Sequence, residues 1–194
     1  MLPTIEEEIG RSPASQLNAY LLGAMHDGTF SRLHRTVRIS QRGTEWPTLL
    51  KTIFQQLGRK SWTYAEGKRG VWVVESCGEV SATVRFQAVG DRAAYIRGYF
   101  DAEGGIPRAL KSRFYVQFVQ KDYSDLEEVR SHLLVLGVDC GRMHNPSRLV
   151  DPEYWRFYVR CCSWSGFATR VGSWHPSKRA ILDLRFPMEE STPP

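Results

Sequence analysis

The 194-residue sequence predicts an α+β fold made of two pseudo-symmetric halves, each running helix, two strands, helix, two strands, helix. Three observations predict it. Two segments, 19–28 and 96–104, share a small-residue, apolar pattern that closes on an acid followed by glycine. A strand-then-helix order recurs at a fixed offset, with Gln41 and Gln120 79 residues apart and Gly58 and Gly137 also 79 apart. Between these landmarks, short stretches alternate apolar with basic or polar side chains at the period of a half-buried strand.

Residues 1–13, with Pro3, Glu6, Glu7, Glu8 and Pro13, are expected to form a flexible arm, and 187–194 a flexible tail. The N-terminal half is expected over 14–90 and the C-terminal half over 91–186. The first helix should run from Ala14 to Met25, capped by Ser12 or Ser15 and stopped at Gly28. Residues 30–42 suit a two-stranded ribbon that buries Val37 and Ile39 on one face and presents Arg38, Ser40 and Arg42 on the other. Trp46, Leu49, Leu50, Ile53, Phe54 and Leu57 recur at helical spacing, and Pro47 is tolerated in the first turn. A second ribbon follows from Trp62–Tyr64 and Gly70–Glu75 around a turn at 66–68, then a short helix over 79–89. The second small-residue helix is expected over 92–103. Beyond it come a strand at Phe118–Lys121, a helix ending at Leu136-Gly137, a strand over Tyr154–Arg160 and a short helix over Gly166–Gly172.

Twenty-six Lys and Arg against 21 Asp and Glu give a formal charge of +5, which favours a polyanionic partner over an acidic one. Cys77, Cys140, Cys161 and Cys162 lack the C-x-x-C spacing of a zinc site, and adjacent residues on a strand point to opposite faces, so reduced thiols are expected. No apolar run reaches the length of a membrane span, and the Glu-rich N-terminus is unlike a signal peptide. An intracellular protein with no membrane partner is expected.

The stretch Ile96-Arg97-Gly98-Tyr99-Phe100-Asp101-Ala102-Glu103-Gly104 resembles the signature helix of the LAGLIDADG homing endonucleases, and Ala19-Tyr20-Leu21-Leu22-Gly23-Ala24-Met25-His26-Asp27-Gly28 resembles a second copy. The resemblance implies that Gly23 and Gly98 pack two helices together and that Asp27 and Glu103 are delivered to a metal site as catalytic carboxylates. Gly23 to Asp27 is four residues and Gly98 to Glu103 is five. One helical residue is a rotation of about 100°, so equivalent placement requires the first helix to end in a tighter turn or to shift register. Asp101 lies two residues before Glu103 and does not share its helix face, which sets it outside the site.

The pairs Gln41-Arg42 and Gln120-Lys121 resemble a Gln-Lys pair that follows the second strand in monomeric archaeal members and flanks the active site. In chemical terms, an amide positions water and a cation neutralises phosphate charge. The segment His175-Pro176-Ser177-Lys178-Arg179 resembles another recurring family segment, while His26, beside Asp27, is placed for a general base, although a single helical histidine is more often structural or incidental.

The resemblance implies two antiparallel sheets forming a DNA-binding saddle. Arg32, Arg35, Arg38, Arg69, Arg113, Gln117, Arg156, Arg160 and Lys178 are the candidate DNA contacts, base edges being read in the major groove and phosphate contacts making affinity fall with salt. The implied activity is site-specific double-strand DNA cleavage by a monomer of an archaeal, bacterial or organellar host, using Mg²⁺ or Mn²⁺, with Ca²⁺ binding without supporting cleavage. The alternatives are an intron maturase that binds its host RNA and a catalytically inactive, sequence-specific DNA-binding protein of the same fold.

Overall fold

The computed structural model describes residues 3–80, 86, 88–109 and 111–187. The chain forms two compact units, Met1–Glu103 with Trp174–Pro176, and Gly104–Ser173 with Ser177–Pro194. The second small-residue helix, which the sequence reading assigns to the C-terminal half, lies in the first unit.

The first unit opens with helix α1, Ile5–Arg11, where a flexible arm is expected. The reason is local. Thr4 and Glu7 form a reciprocal capping box, with the Glu7 N–H donating to Thr4 Oγ1 at 3.2 Å and the Thr4 N–H donating to Glu7 Oε2 at 3.0 Å. Glu6 to Glu8 sit where the helix dipole favours negative charge. Ile9 is 1% exposed, and Gln56 Nε2 donates to its carbonyl at 3.0 Å. Ser12, expected to start the next helix, instead donates from Oγ to Glu8 O at 2.8 Å.

Helix α2, Ala14–Ala24, then tightens into a 3₁₀ turn, Met25–Asp27. Strands β1 (Gly28–Ser31) and β2 (Thr36–Arg42) lead into α3 (Glu45–Gln56), and β3 (Ser61–Glu66) and β4 (Val71–Cys77) into α4 (Val89–Glu103). The four strands form one antiparallel sheet in the order β1-β2-β4-β3. Val37 and Ile39 are buried as expected, as are Val74 of β4 and Trp46, Leu50, Ile53 and Phe54 of α3. Most of the expected helix over 79–89 falls outside the described residues; α4 itself begins at Val89, three residues before its expected start.

The second unit contains β5 (Gln117–Gln120), α5 (Tyr123–Val135), β6 (Trp155–Tyr158), a 3₁₀ turn at Cys161–Ser163, α6 (Trp164–Arg170) and most of α7 (Pro176–Arg185). Its antiparallel β5–β6 sheet is widened by single bridges, Gly105↔Gln117, Cys140↔Val159 and His144↔Arg156. Where four strands are expected, the described residues hold two and these bridges. The expected flexible tail lies almost wholly outside the described residues.

The internal repeat is written in the helix ends. At α3, the N–H groups of Gly58 and Arg59 donate to Gln55 O and Phe54 O; at α5, those of Gly137 and Val138 donate to Leu134 O and Leu133 O. Both are Schellman closures, and both glycines take the left-handed conformation the motif requires, φ 71° and 69°.

Candidate functional site

Helices α2 and α4 pack side by side in the first unit. A Cβ on Gly23 would stand 2.6 Å from Tyr99 N, and one on Gly98 would stand 2.9 Å from Tyr20 C and 3.0 Å from Ala24 N. These are backbone atoms that cannot swing away, so each glycine is what lets the other helix approach. Tyr20 and Tyr95 each lie three residues before one of these glycines, and each reaches a residue three positions after the other. Tyr20 OH donates to Asp101 Oδ2 at 2.7 Å, and Tyr95 OH lies 3.1 Å from His26 Nε2. His26 also packs against the Tyr99 ring at 4.4 Å.

That pairing fixes the helix register at an offset of 75 residues and leaves Asp27 one position short of Glu103. The 3₁₀ turn compensates. It rises about 2.0 Å and rotates about 120° per residue, against about 1.5 Å and about 100° in an α-helix. Three such residues add about 1.5 Å and about 60°, recovering the missing rise and over half the missing rotation. Asp27 is exposed at the end of the turn; Glu103 is half-buried at the last residue of α4. Two carboxylates offer the hard oxygen donors that Mg²⁺, Mn²⁺ and Ca²⁺ take. Among the described residues no group of three or more His, Cys, Asp or Glu is arranged to hold a metal.

Asp101 serves a different purpose. It is fully buried, and its Oδ2 accepts from Tyr20 OH, from the Trp174 N–H at 2.9 Å and from the His175 N–H at 3.0 Å. Trp46 Nε1 donates to Tyr20 OH at 2.9 Å. Burial, reinforced by the Asp101 charge, holds the Tyr20 hydroxyl well above its ordinary pKa and keeps it a donor. Arg97 lies over the Trp174 ring at 4.6 Å, and Trp174 Nε1 donates to Glu8 Oε2 at 2.9 Å. The segment 174–176 is thereby pinned to the first unit.

At the end of β2, alternation sends Gln41 to the helix face with Val37 and Ile39, and Arg42 to the open face. Gln41 Oε1 lies 2.9 Å from His175 Nε2, and the His175 ring stacks on Trp46 at 5.8 Å. At the end of β5, Gln120 Oε1 accepts from the Lys121 N–H at 2.7 Å, and Lys121 is exposed. Lys178 Nζ donates to Gly104 O at 2.8 Å, the carbonyl after Glu103.

The open face of the first sheet carries a polar hollow of about 510 Å³ lined by Thr29, Ser31, His34, Thr36, Arg38, Tyr64 and Glu75. Arg32 and Arg35 lie exposed in the β1–β2 turn, and Arg69 in the β3–β4 turn. Arg38 is paired with Glu66, which raises its pKa. In the second unit Arg113 and Arg160 are exposed, while Gln117 and Arg156 are half-buried, Arg156 donating to His144 Nε2 at 3.2 Å.

A LAGLIDADG-like domain model matches residues 91–160. Solved structures resemble nearly the whole chain. The I-DmoI complex with DNA and Mn is 19% identical, with a TM-score of 0.62 over 82% of this chain and 98% of that one. The I-DmoI complex with DNA and Ca is 17% identical, with a TM-score of 0.67 over 89% of this chain and 100% of that one. The protein has the LAGLIDADG homing endonuclease fold. Full-length DUF199/WhiA from Thermatoga maritima shares that LAGLIDADG fold at 14% identity, with a TM-score of 0.68 over 97% of this chain and 67% of that one. No curated protein matches the chain.

Within the LAGLIDADG fold, three features escaped the sequence reading. Glu75 accepts from Thr36 Oγ1 at 2.7 Å and Tyr64 OH at 3.2 Å on a face read as basic. Tyr20 and Tyr95 were not distinguished from other core aromatics, although both stand three residues before the packing glycines. His175 touches Gln41 from 134 residues away, and its only sequence signal is the family-like segment around it.

Proposed function

We propose that the protein is a divalent-metal-dependent, site-specific double-strand DNA endonuclease that acts as a monomer. One observation carries this reading: two helices packed glycine to glycine each end in a carboxylate, and the 3₁₀ turn restores the axial rise that the shorter first copy lacks. Asp27 and Glu103 are the residues that would hold Mg²⁺ or Mn²⁺, which supplies an activated water and neutralises charge on the leaving oxygen. In the first unit Arg42 offers a cation and Gln41 an amide to DNA phosphate, and in the second unit Lys121 and Gln120 offer the same pair. The exposed arginines of both units meet DNA phosphates and base edges, which makes binding salt-sensitive. The I-DmoI structures described as complexes with DNA and Mn or Ca support this assignment of ligand and metal.

The second reading is a DNA-binding protein without cleavage. It needs only the fold, which the WhiA chains share at 14% and 15% identity. Asp27→Asn and Glu103→Gln separate the two. Under the endonuclease reading each abolishes Mg²⁺-dependent cleavage while retention of DNA in Ca²⁺ changes less than threefold. Cleavage by both variants at the parental rate would remove these acids from the site.

A further inference from the structure

In both halves of the chain a glutamine stands at the end of a strand, or one residue before it, with its side-chain oxygen beside a nitrogen of the protein. Gln120 leaves no ambiguity, because the atom that bonds the Lys121 main-chain N–H has to be an acceptor and is therefore Oε1. Its two amide N–H donors have no protein partner among the described residues. At Gln41 the corresponding neighbour is a histidine ring nitrogen 2.9 Å away, and the amide nitrogen is again without a protein partner among the described residues. Both residues are partly exposed, so an acceptor from outside the protein can approach them.

We infer that Gln41 and Gln120 present N–H donors, not carbonyl acceptors, to phosphate oxygens of the DNA backbone, and that His175 is the positioning residue that sets this polarity at Gln41. The inference rests on the endonuclease reading for its ligand. An amide turned this way stabilises negative charge on oxygen and cannot accept a proton from water, which assigns both glutamines to the phosphate and not to activation of the nucleophile.

The geometry around His175 explains how one imidazole can hold the amide. The His175 main-chain N–H is fixed by Asp101 and its ring lies on Trp46, whose own indole N–H donates to Tyr20, which donates to Asp101. These four residues close a ring of contacts, so the imidazole has little freedom to rotate. Two of the three protonation forms of histidine, the Nε2–H neutral tautomer and the imidazolium, donate from Nε2. Either one takes the Gln41 carbonyl oxygen and turns its NH₂ outward, matching Gln120. In the first half a distant side chain does what the next backbone N–H does in the second.

Two measurements on the full chain test this. Ring ¹⁵N shifts, assigned to His175 by their loss in His175→Gln, should show a protonated Nε2; a bare Nε2 would overturn the inference, because Gln41 would then point its carbonyl outward. The second uses a supercoiled plasmid bearing a cleavable site. His175→Phe keeps an aromatic ring against Trp46 but removes the donor, so it should slow cutting of one strand about tenfold, the scale of one net hydrogen bond, and accumulate nicked plasmid. His175→Gln, which restores an N–H donor, should recover most of that rate. Equal slowing of both strands, or equal loss in the Phe and Gln variants, would reduce His175 to a packing role. A parent protein that never nicks would sink the endonuclease reading alone, since the ¹⁵N measurement still decides the amide polarity.

Discussion

Replacing Gly98 by alanine tests the packing of α2 against α4 with a single methyl group. The added Cβ would stand 2.9 Å from Tyr20 C and 3.0 Å from Ala24 N, and closer still to Tyr20 O. Carbon in ordinary contact needs about 3.5 Å or more, so the helices must separate by at least half an ångström or bend. Overpacking of this kind costs about 3 kcal/mol, at the upper end of its usual range because the opposing atoms are main chain. The intrinsic helix preference of alanine over glycine returns about 1 kcal/mol. The net is about 2 kcal/mol of destabilisation, a shift of about 1 M in the urea midpoint for a slope of about 2 kcal/mol/M. Gly10→Ala is the control, because nothing lies within 4 Å of its Cβ in α1; it should stabilise by about 0.5–1 kcal/mol. A Gly98→Ala protein as stable as the parent, with the Gly10→Ala gain in place, would refute the close packing of the two helices.

Three further outcomes follow from the same unit and its neighbour. The Tyr20 pKa is raised in the folded state above the ordinary value of about 10, so its contribution to stability is complete below pH 10 and declines above it, by at most about 1.4 kcal/mol per pH unit; Tyr20→Phe should flatten that part of an alkaline unfolding profile, and an unchanged slope would contradict the buried hydroxyl. Asp101→Asn replaces an acceptor of three donors with a group that must turn an N–H toward some of them, costing about 3 kcal/mol and speeding hydrogen exchange at Trp174 and His175 relative to the sheet; no selective change there would remove Asp101 as the anchor. Burial pushes the Cys140 thiol up to about 12, whereas Cys77, Cys161 and Cys162 are exposed, so a thiol reagent at neutral pH should label three cysteines quickly and Cys140 only on unfolding.

The parts of the fold that sequence reading reached are those fixed by short-range pattern. Helix α3 was legible from Trp46 to Leu57 because its apolar spacing, its early proline and its terminal glycine agree. Strand β2 was legible because Val37 and Ile39 alternate with Arg38 and Ser40. Helix α1 was misjudged although Thr4 and Glu7 stand at capping-box spacing, since Pro3 and three consecutive glutamates outweighed one buried isoleucine whose partner, Gln56, is 47 residues away. The second sheet was over-read, because four strands were carried over from the first half by the repeat, whereas Cys140 and His144 join β6 and its extension by single bridges only. At the helix pair, the glycines could be read from local spacing, and the one-residue difference between the two copies left a tighter turn or a register shift open, of which the chain takes the turn. Asp101 and His175 could not be given roles, because each is defined by partners more than 70 residues distant.

The most direct test of the central claim is to incubate the purified protein with a randomised plasmid library in Mg²⁺, beside an EDTA control, and to sequence every new DNA end. The account predicts discrete, Mg²⁺-dependent double-strand ends clustered on one long site, lost in both Asp27→Asn and Glu103→Gln. Ends that persist in EDTA, or DNA retained in a salt-sensitive manner with no ends at all, would contradict it.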